Sequence, residues 1–241
     1  MEIMGLKKQS AEAQIVVIDG KQFVTNGTWE YGSPGKSKGD GKDTSKRPRT
    51  LPVGQIGWRL SGAGKGDPIP LWERAALAAG EKEIIRDIPR ITGGGDLINI
   101  GDLNGGSAIL LAQGLKHHGL SGHVYTIDCY GEETKSQACA NRIESETDSL
   151  ITLLNTTSDE AVKQLDHHLF NFVFIDGDHT YEGVLADWIN YSPLITKHGA
   201  VAFHDTNQDY TDRVIKEVVT QDWKLEYWVN RIKVFRRREY E

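Results

Sequence analysis

The chain has 241 residues, 38% of them hydrophobic and 26% charged, with a formal net charge of −6. That is enough for one sizeable core of a soluble globular protein, and the acidic balance argues against a general nucleic-acid-binding surface. Apolar runs such as "AILLA" are far too short to span a membrane, and the first residues, "MEIMGLKKQS", lack the apolar core of a signal peptide.

In chain order, a short apolar segment "QIVVI" comes first, followed by a stretch from Gly27 to Pro70 rich in Gly, Lys, Ser and Pro. Such a composition buries too little apolar surface to offset its ordering entropy. Residues 1–69 are therefore expected to form an arm or lid over a binding site, the alternative being a basic arm that contacts an anionic partner. Trp29, Tyr31 and Trp58 could line an acceptor pocket or anchor this arm. A phosphate-binding loop fails twice. Before "PGKS" the required glycine is Glu30, and in "GAGKGD" Gly66 stands where Ser or Thr is needed.

Residues 70–241 form the regular part. "PLWERAALAAGEKEIIRDI" has helical spacing, with Leu71, Ala75, Leu77 and Ala78 on one side and few breakers until Gly80. "LINI", "HVYTID", "LITLL", "FVFID" and "AVAFHD" read as strands. The segments between them, and "TDRVIKEVVTQ" after the last, read as helices, with Ser158 or Asp159 as one N-cap. "KLEYWVNRIKVFRR" reads as a closing hairpin joined at "VNR". The expected fold is α/β: a doubly wound, mostly parallel sheet with a C-terminal antiparallel hairpin. Trp188 and Tyr191 are spaced for the core, while His117, His118, His167 and His168 read as exposed helix ends. Cys129 and Cys139 have no metal-ligand or CxxC spacing and read as free thiols in a reducing, cytoplasmic setting.

In an open parallel sheet, ligands bind beyond the carboxyl ends of the strands. Here those ends carry a glycine turn "NIGDLNGGSA", then Asp128, then Asp176, Asp178 and His179, then His204 and Asp205. A glycine turn permits close backbone approach, and a strand-terminal carboxylate can accept from a ribose diol. The pattern points to an adenosine-containing ligand. The glycine order is GxxxGG, which misses the GxGxxG fingerprint of nicotinamide cofactors. Asp178 could alternatively cap the helix after it, and His179 could orient a ligand rather than act on it.

"DLINIGDLNGGSAILLA", "VYTID" and "FVFIDGDHTYEGVLADWINYSPLITKHGAVAFHD" together resemble the class I S-adenosylmethionine-dependent O-methyltransferases. The branch they look most like holds macrolide and aminocoumarin sugar O-methyltransferases and cephalosporin hydroxylase-like proteins. The resemblance covers roughly residues 70–238 and implies a Rossmann-like methyltransferase fold. It implies that Gly101, Asn104, Gly105, Gly106 and Ser107 wrap the methionine part of S-adenosylmethionine, with Asn99 beside them in place of the usual acid. It further implies that Asp128 holds the ribose and that Thr157 or Ser158 lies near the adenine. In metal-dependent members, acids at the places of Asp176 and Asp205 hold magnesium; His204 departs from the acid often found beside the second. Asp176 then belongs to both the cofactor and the metal sets, and Asp178 and His179 are the candidate bases.

The implied activity is methyl transfer to a hydroxyl of a small molecule, such as a sugar, with metal assistance. Other readings are a non-catalytic S-adenosylmethionine-binding protein, a hydroxylase on the same scaffold, and a nucleic-acid methyltransferase using the Lys-rich arm. The acidic net charge disfavours the last. No membrane partner is expected, and a homo-oligomer is compatible with the sequence without being specified by it.

Overall fold

The computed structural model describes residues 14–18, 21–25, 77–165, 167–219 and 222–238. The chain divides into two units, Met1–Pro48 and Arg49–Glu241. In the first, β1 (Gln14–Ile18) and β2 (Lys21–Thr25) pair antiparallel with Ile18 opposite Lys21. "QIVVI" is thus one strand of a hairpin whose second strand the sequence reading left out. The Gly27–Pro70 arm, its three aromatic residues and the expected boundary at residue 69 lie outside the described residues.

The second unit alternates helix and strand. In chain order it contains α1 (Ala79–Thr92), β3 (Leu97–Ile100), α2 (Gly106–His118), β4 (Val124–Ile127), α3 (Glu132–Glu144) and β5 (Ile151–Leu154). There follow α4 (Ser158–Gln164), β6 (Phe170–Ile175), α5 (Tyr181–Tyr191), β7 (Ile195–Phe203), α6 (Asp209–Val218), β8 (Trp223–Val229) and β9 (Ile232–Arg237). The strands form one sheet in the order β5-β4-β3-β6-β7-β9-β8. The first five are parallel, and β9 pairs antiparallel with both β7 and β8. This is the expected doubly wound sheet with its C-terminal hairpin.

Alternation along β6 explains why the sheet must be covered on both faces. Phe172 and Phe174 pack into one cluster with Ile84, Ile88 and Leu111. The opposite face is closed by Trp188 from α5, whose ring lies 5.7 Å from that of Phe203. Phe172, Phe174, Phe203 and Tyr191 are fully buried. Each such side chain contributes about 1.5–3 kcal/mol through burial. Trp188 and Tyr191 are core residues, as their spacing predicts.

Two boundary expectations are corrected. The first helix starts at Ala79, so Leu77 and Ala78 precede it and Gly80 lies in its first turn. Its N-terminus is held by Glu81, whose Oε2 accepts from the Ala78 N–H at 2.8 Å. The helix after β5 is capped by Thr157, whose Oγ1 accepts from the Glu160 N–H, and not by Ser158 or Asp159. Two of the histidines expected on the surface are half-buried. His168 Nε2 lies 2.8 Å from Asp96 Oδ2, and His118 Nε2 lies 3.5 Å from Asp87 Oδ1. Both cysteines are free and exposed. Among the described residues, no helix is long and apolar enough to cross a membrane.

Candidate active site

The five parallel strands end along one edge of the sheet, so the residues after β3, β4, β5, β6 and β7 converge there. Strand order reverses direction between β3 and β6, and the crevice this leaves is where ligands of such sheets sit. A cleft of about 680 Å³ opens at this place. Its walls include Gly101, Asn104, Ser107, Asp128, Thr157, Ser158, Asp176, Asp178, His179 and Asp205.

The glycine turn forms one wall. Gly101 has φ 83, and a Cβ on it would fall 2.0 Å from the carbonyl oxygen of Asp176. Only glycine lets β3 and β6 end so close together. Leu103 follows in the left-handed region with φ 48, an uncommon conformation for its residue type. Two carboxylates hold this turn. Asp128 Oδ2 accepts from the backbone N–H groups of Asp102 and Leu103 at 2.7 and 2.9 Å. Asp102, itself buried, accepts from Ala108 N–H and Asn99 Nδ2 on one oxygen and from the Tyr130 hydroxyl on the other. Burial pushes the Asp102 carboxyl above the usual range, and also pushes the Tyr130 hydroxyl up.

Across the cleft, Asp187 from α5 is almost fully buried beside Ser158. Burial raises its pKa to about 7, although a hydrogen bond with Ser158 opposes the shift.

At the ends of β6 and β7 lies a network of acids and cations. His204 Nδ1 lies 2.9 Å from Asp176 Oδ1 and 3.4 Å from Asp205 Oδ1, and its Nε2 lies 3.4 Å from Glu81 Oε2. The Nδ1 contact is off the N–H axis, so it is an ion contact rather than an aligned hydrogen bond. Arg231, in the two-residue turn between β8 and β9, spans the same group. Its NH1 donates to Asp205 Oδ1 at 2.8 Å, its NH2 to Glu81 Oε2 at 3.2 Å, and its backbone N–H to Glu81 Oε1 at 3.0 Å.

Burial alone would raise Glu81, but hydrogen bonds from His204, Ala78 and Arg231 outweigh it and hold the carboxyl at about 2. Burial alone would lower His204, but Asp176, Glu81 and Asp205 hold the imidazolium up to about 9. Asp205 sits at φ 50, a strained backbone at the mouth of a cleft.

His179 stands over this network, half-exposed, with Nε2 3.8 Å from Asp176 Oδ1 and Nδ1 3.7 Å from Asp205 Oδ2. Attraction to Asp176 raises its pKa against the opposing effect of burial. At these distances the attraction is electrostatic rather than a short hydrogen bond. Its ring stacks on Tyr210 at 6.1 Å.

Residues 98–206 match the family model described as a methyltransferase domain. The sheet and its helices have the fold of class I O-methyltransferases, and within it residues 98–206 are similar to that methyltransferase-domain model. Comparison with curated proteins gives no match. Among solved structures, an O-methyltransferase from Bacillus cereus in complex with SAH is 16% identical, with TM-score 0.54, over 70% of this chain and 87% of that one. A putative caffeoyl-CoA O-methyltransferase from Staphylococcus aureus is 14% identical, with TM-score 0.56, over 67% and 84%. The O-methyltransferase TomG from Streptomyces achromogenes, involved in tomaymycin synthesis and solved with SAM, is 14% identical, with TM-score 0.54, over 67% and 81%.

Most residues singled out in the sequence meet at this one cleft, and three do not line it. Asn99 is fully buried, and its Nδ2 donates to Gly101 O, Asp102 Oδ1 and Thr126 Oγ1. It braces the glycine turn from beneath. Gly105, at φ 86, is the N-cap of α2, and Gly106 begins the helix. Both are buried and shape the turn. Asp178 does not cap α5; Thr180 does, through Gly183 N–H at 3.0 Å. The Asp178 side chain instead covers Gly183, where a Cβ would fall within 2.6 Å of its carboxylate. Glu81, Asp102 and Arg231, which brace the walls of the cleft, were not singled out by the sequence.

The methyltransferase resemblance implies magnesium, and the donor set can be tested for it. Asp176, His179 and Asp205 each offer one ligand atom, all within 4.8 Å of one another, so the spacing admits a cation. The electrostatics do not favour magnesium. Arg231 and His204 already touch the same two carboxylates, and His204 stands where a further oxygen ligand would be needed. Three carboxylates (Glu81, Asp176 and Asp205) face two cations, leaving about one net negative charge. A divalent ion would reverse that sign. These residues do not fit magnesium.

Proposed function

We propose that this chain is an S-adenosylmethionine-dependent O-methyltransferase acting on a hydroxyl of a small molecule, of which a sugar is one example. The observation that carries the reading is the convergence of the Asp128 carboxylate, the glycine turn and the Asp176–His179–Asp205 group on one cleft large enough for a donor and the reacting end of an acceptor. Neighbours of the same fold solved with SAH or SAM support the donor.

In this reading the ribose hydroxyls donate to Asp128 Oδ1, since Oδ2 is occupied by the turn. Ser107 and Asn104 face the methionine part. Thr157 and Ser158 face the adenine. Transfer moves the methyl carbon from the sulfonium to the acceptor oxygen in one in-line displacement, leaving a neutral thioether. The acceptor hydroxyl loses its proton, and His179 is the group placed to take it, held between two carboxylates that stabilise the resulting imidazolium. Asp178, turned against Gly183, is the weaker candidate. The net negative charge of the Glu81, Asp176 and Asp205 group suits a cationic donor.

Titration calorimetry with S-adenosylhomocysteine, joined to a methyl-transfer assay over sugars and phenols, tests the proposal. Binding with transfer to at least one hydroxyl acceptor supports it. Binding with no transfer on any acceptor favours a non-catalytic ligand-binding role, and dependence on a reductant instead of the methyl donor favours a hydroxylase.

A further inference from the structure

We propose that Arg231 is a built-in counter-cation that takes the place of a divalent metal ion at the Asp176–Asp205 pair, so that the site excludes the ion. This rests on the O-methyltransferase reading for its catalytic meaning but not for its test. The hairpin turn between β8 and β9 leaves Val229 opposite Ile232, so only Asn230 and Arg231 form it. Asn230 adopts φ 51, which suits a tight turn. The turn is anchored on both sides, since Thr206 N–H donates to Arg231 O at 2.9 Å and Arg231 N–H donates to Glu81.

The guanidinium is thereby fixed with one nitrogen on Asp205 and another on Glu81, a carboxylate with no solvent exposure at all. A buried carboxylate needs a permanent partner, and arginine stays charged at every accessible pH. Asp205 is one of the three residues spaced to hold a cation, and its Oδ1 lies 2.8 Å from this guanidinium. Two cations on one carboxylate repel strongly in a partly desolvated site.

Arg231 is therefore a positioning residue. It holds the Asp205 side chain in place beneath His179, the positioning a metal would otherwise provide.

The test is a manganese titration followed by electron paramagnetic resonance on the full chain after dialysis against chelator. Wild type is expected to bind no manganese at this site, and chelator is expected to leave any methyl-transfer rate unchanged. Arg231→Ala, and the better-tolerated Arg231→Gln, should each gain one bound ion, lost again when Asp205→Asn is added. Manganese bound by wild type and lost in Asp205→Asn would overturn the proposal. So would a folded Arg231 variant that gains no ion, because Arg231 would then not be what excludes it. The manganese readout needs no acceptor, so failure of methyl transfer on every compound would leave this result standing.

Discussion

Asp128 and Asp102 are joined across the mouth of the cleft: the carboxylate after β4 accepts the backbone N–H of the residue after Gly101, at 2.7 Å. One acid thus holds the glycine turn, and in the proposed reading its second oxygen is left for the ligand.

Asp128→Ala is accordingly expected to weaken S-adenosylhomocysteine binding by about 10- to 100-fold, the range for losing hydrogen bonds to a charged acceptor. Asp128→Asn should fall between the two, since its carbonyl still accepts while its charge is gone. Calorimetry on the three proteins checks the order. Equal affinity in all three would remove Asp128 from the ligand's surroundings.

Gly101→Ala places a Cβ 2.0 Å from the Asp176 carbonyl on a backbone at φ 83. The strand ends must separate, so both fold stability and ligand affinity should drop. Thermal unfolding with and without S-adenosylhomocysteine separates the losses. A normal melting temperature with normal affinity would contradict the close approach.

Glu81→Ala leaves His204 and the guanidinium of Arg231 without their buried partner. Removing one member of a buried pair typically costs about 3–5 kcal/mol, so urea unfolding should show a marked loss of stability. A loss within the range of ordinary surface substitutions would mean the network is held elsewhere.

The same network sets a pH profile for stability. Glu81, held at about 2, contributes above its ordinary value near 4.5, and that contribution is lost as pH falls through 2. His204, held at about 9, contributes fully below 6.5, and its contribution is lost as pH rises through 9. Stability from this pair should therefore be flat between 4.5 and 6.5 and decline on both sides. His204→Gln should remove the alkaline decline. Urea midpoints measured across pH, wild type against variant, test it. An identical alkaline decline in both would assign it to another group.

The parallel sheet and its rim were legible in the sequence because strand ends are marked locally. An apolar run that stops at Asp128, Asp176 or Asp205 announces where the chain leaves the core, and the order of such runs sets the sheet. Glu81 was not legible, since an acid in the first turn of a helix reads as a partner for backbone N–H groups, which it also is. Its second role depends on β7 and the terminal hairpin arriving beside it. Arg231 was hidden in the same way, because a charged residue in a hairpin turn ordinarily faces water. The early start assigned to the first helix came from apolar spacing at Leu71, Ala75, Leu77 and Ala78 that continues past the true boundary. Gly80 looked like a terminator, yet it sits in the first turn, where Glu81 completes the cap.

The most direct measurement is a crystal structure of the chain with S-adenosylhomocysteine, read for two distances. The account predicts ribose oxygens within hydrogen-bond reach of Asp128 and the sulfur facing His179 over the Asp176–Asp205 pair. A ligand bound away from this cleft, or lying in it with its sulfur turned from His179, would contradict the account.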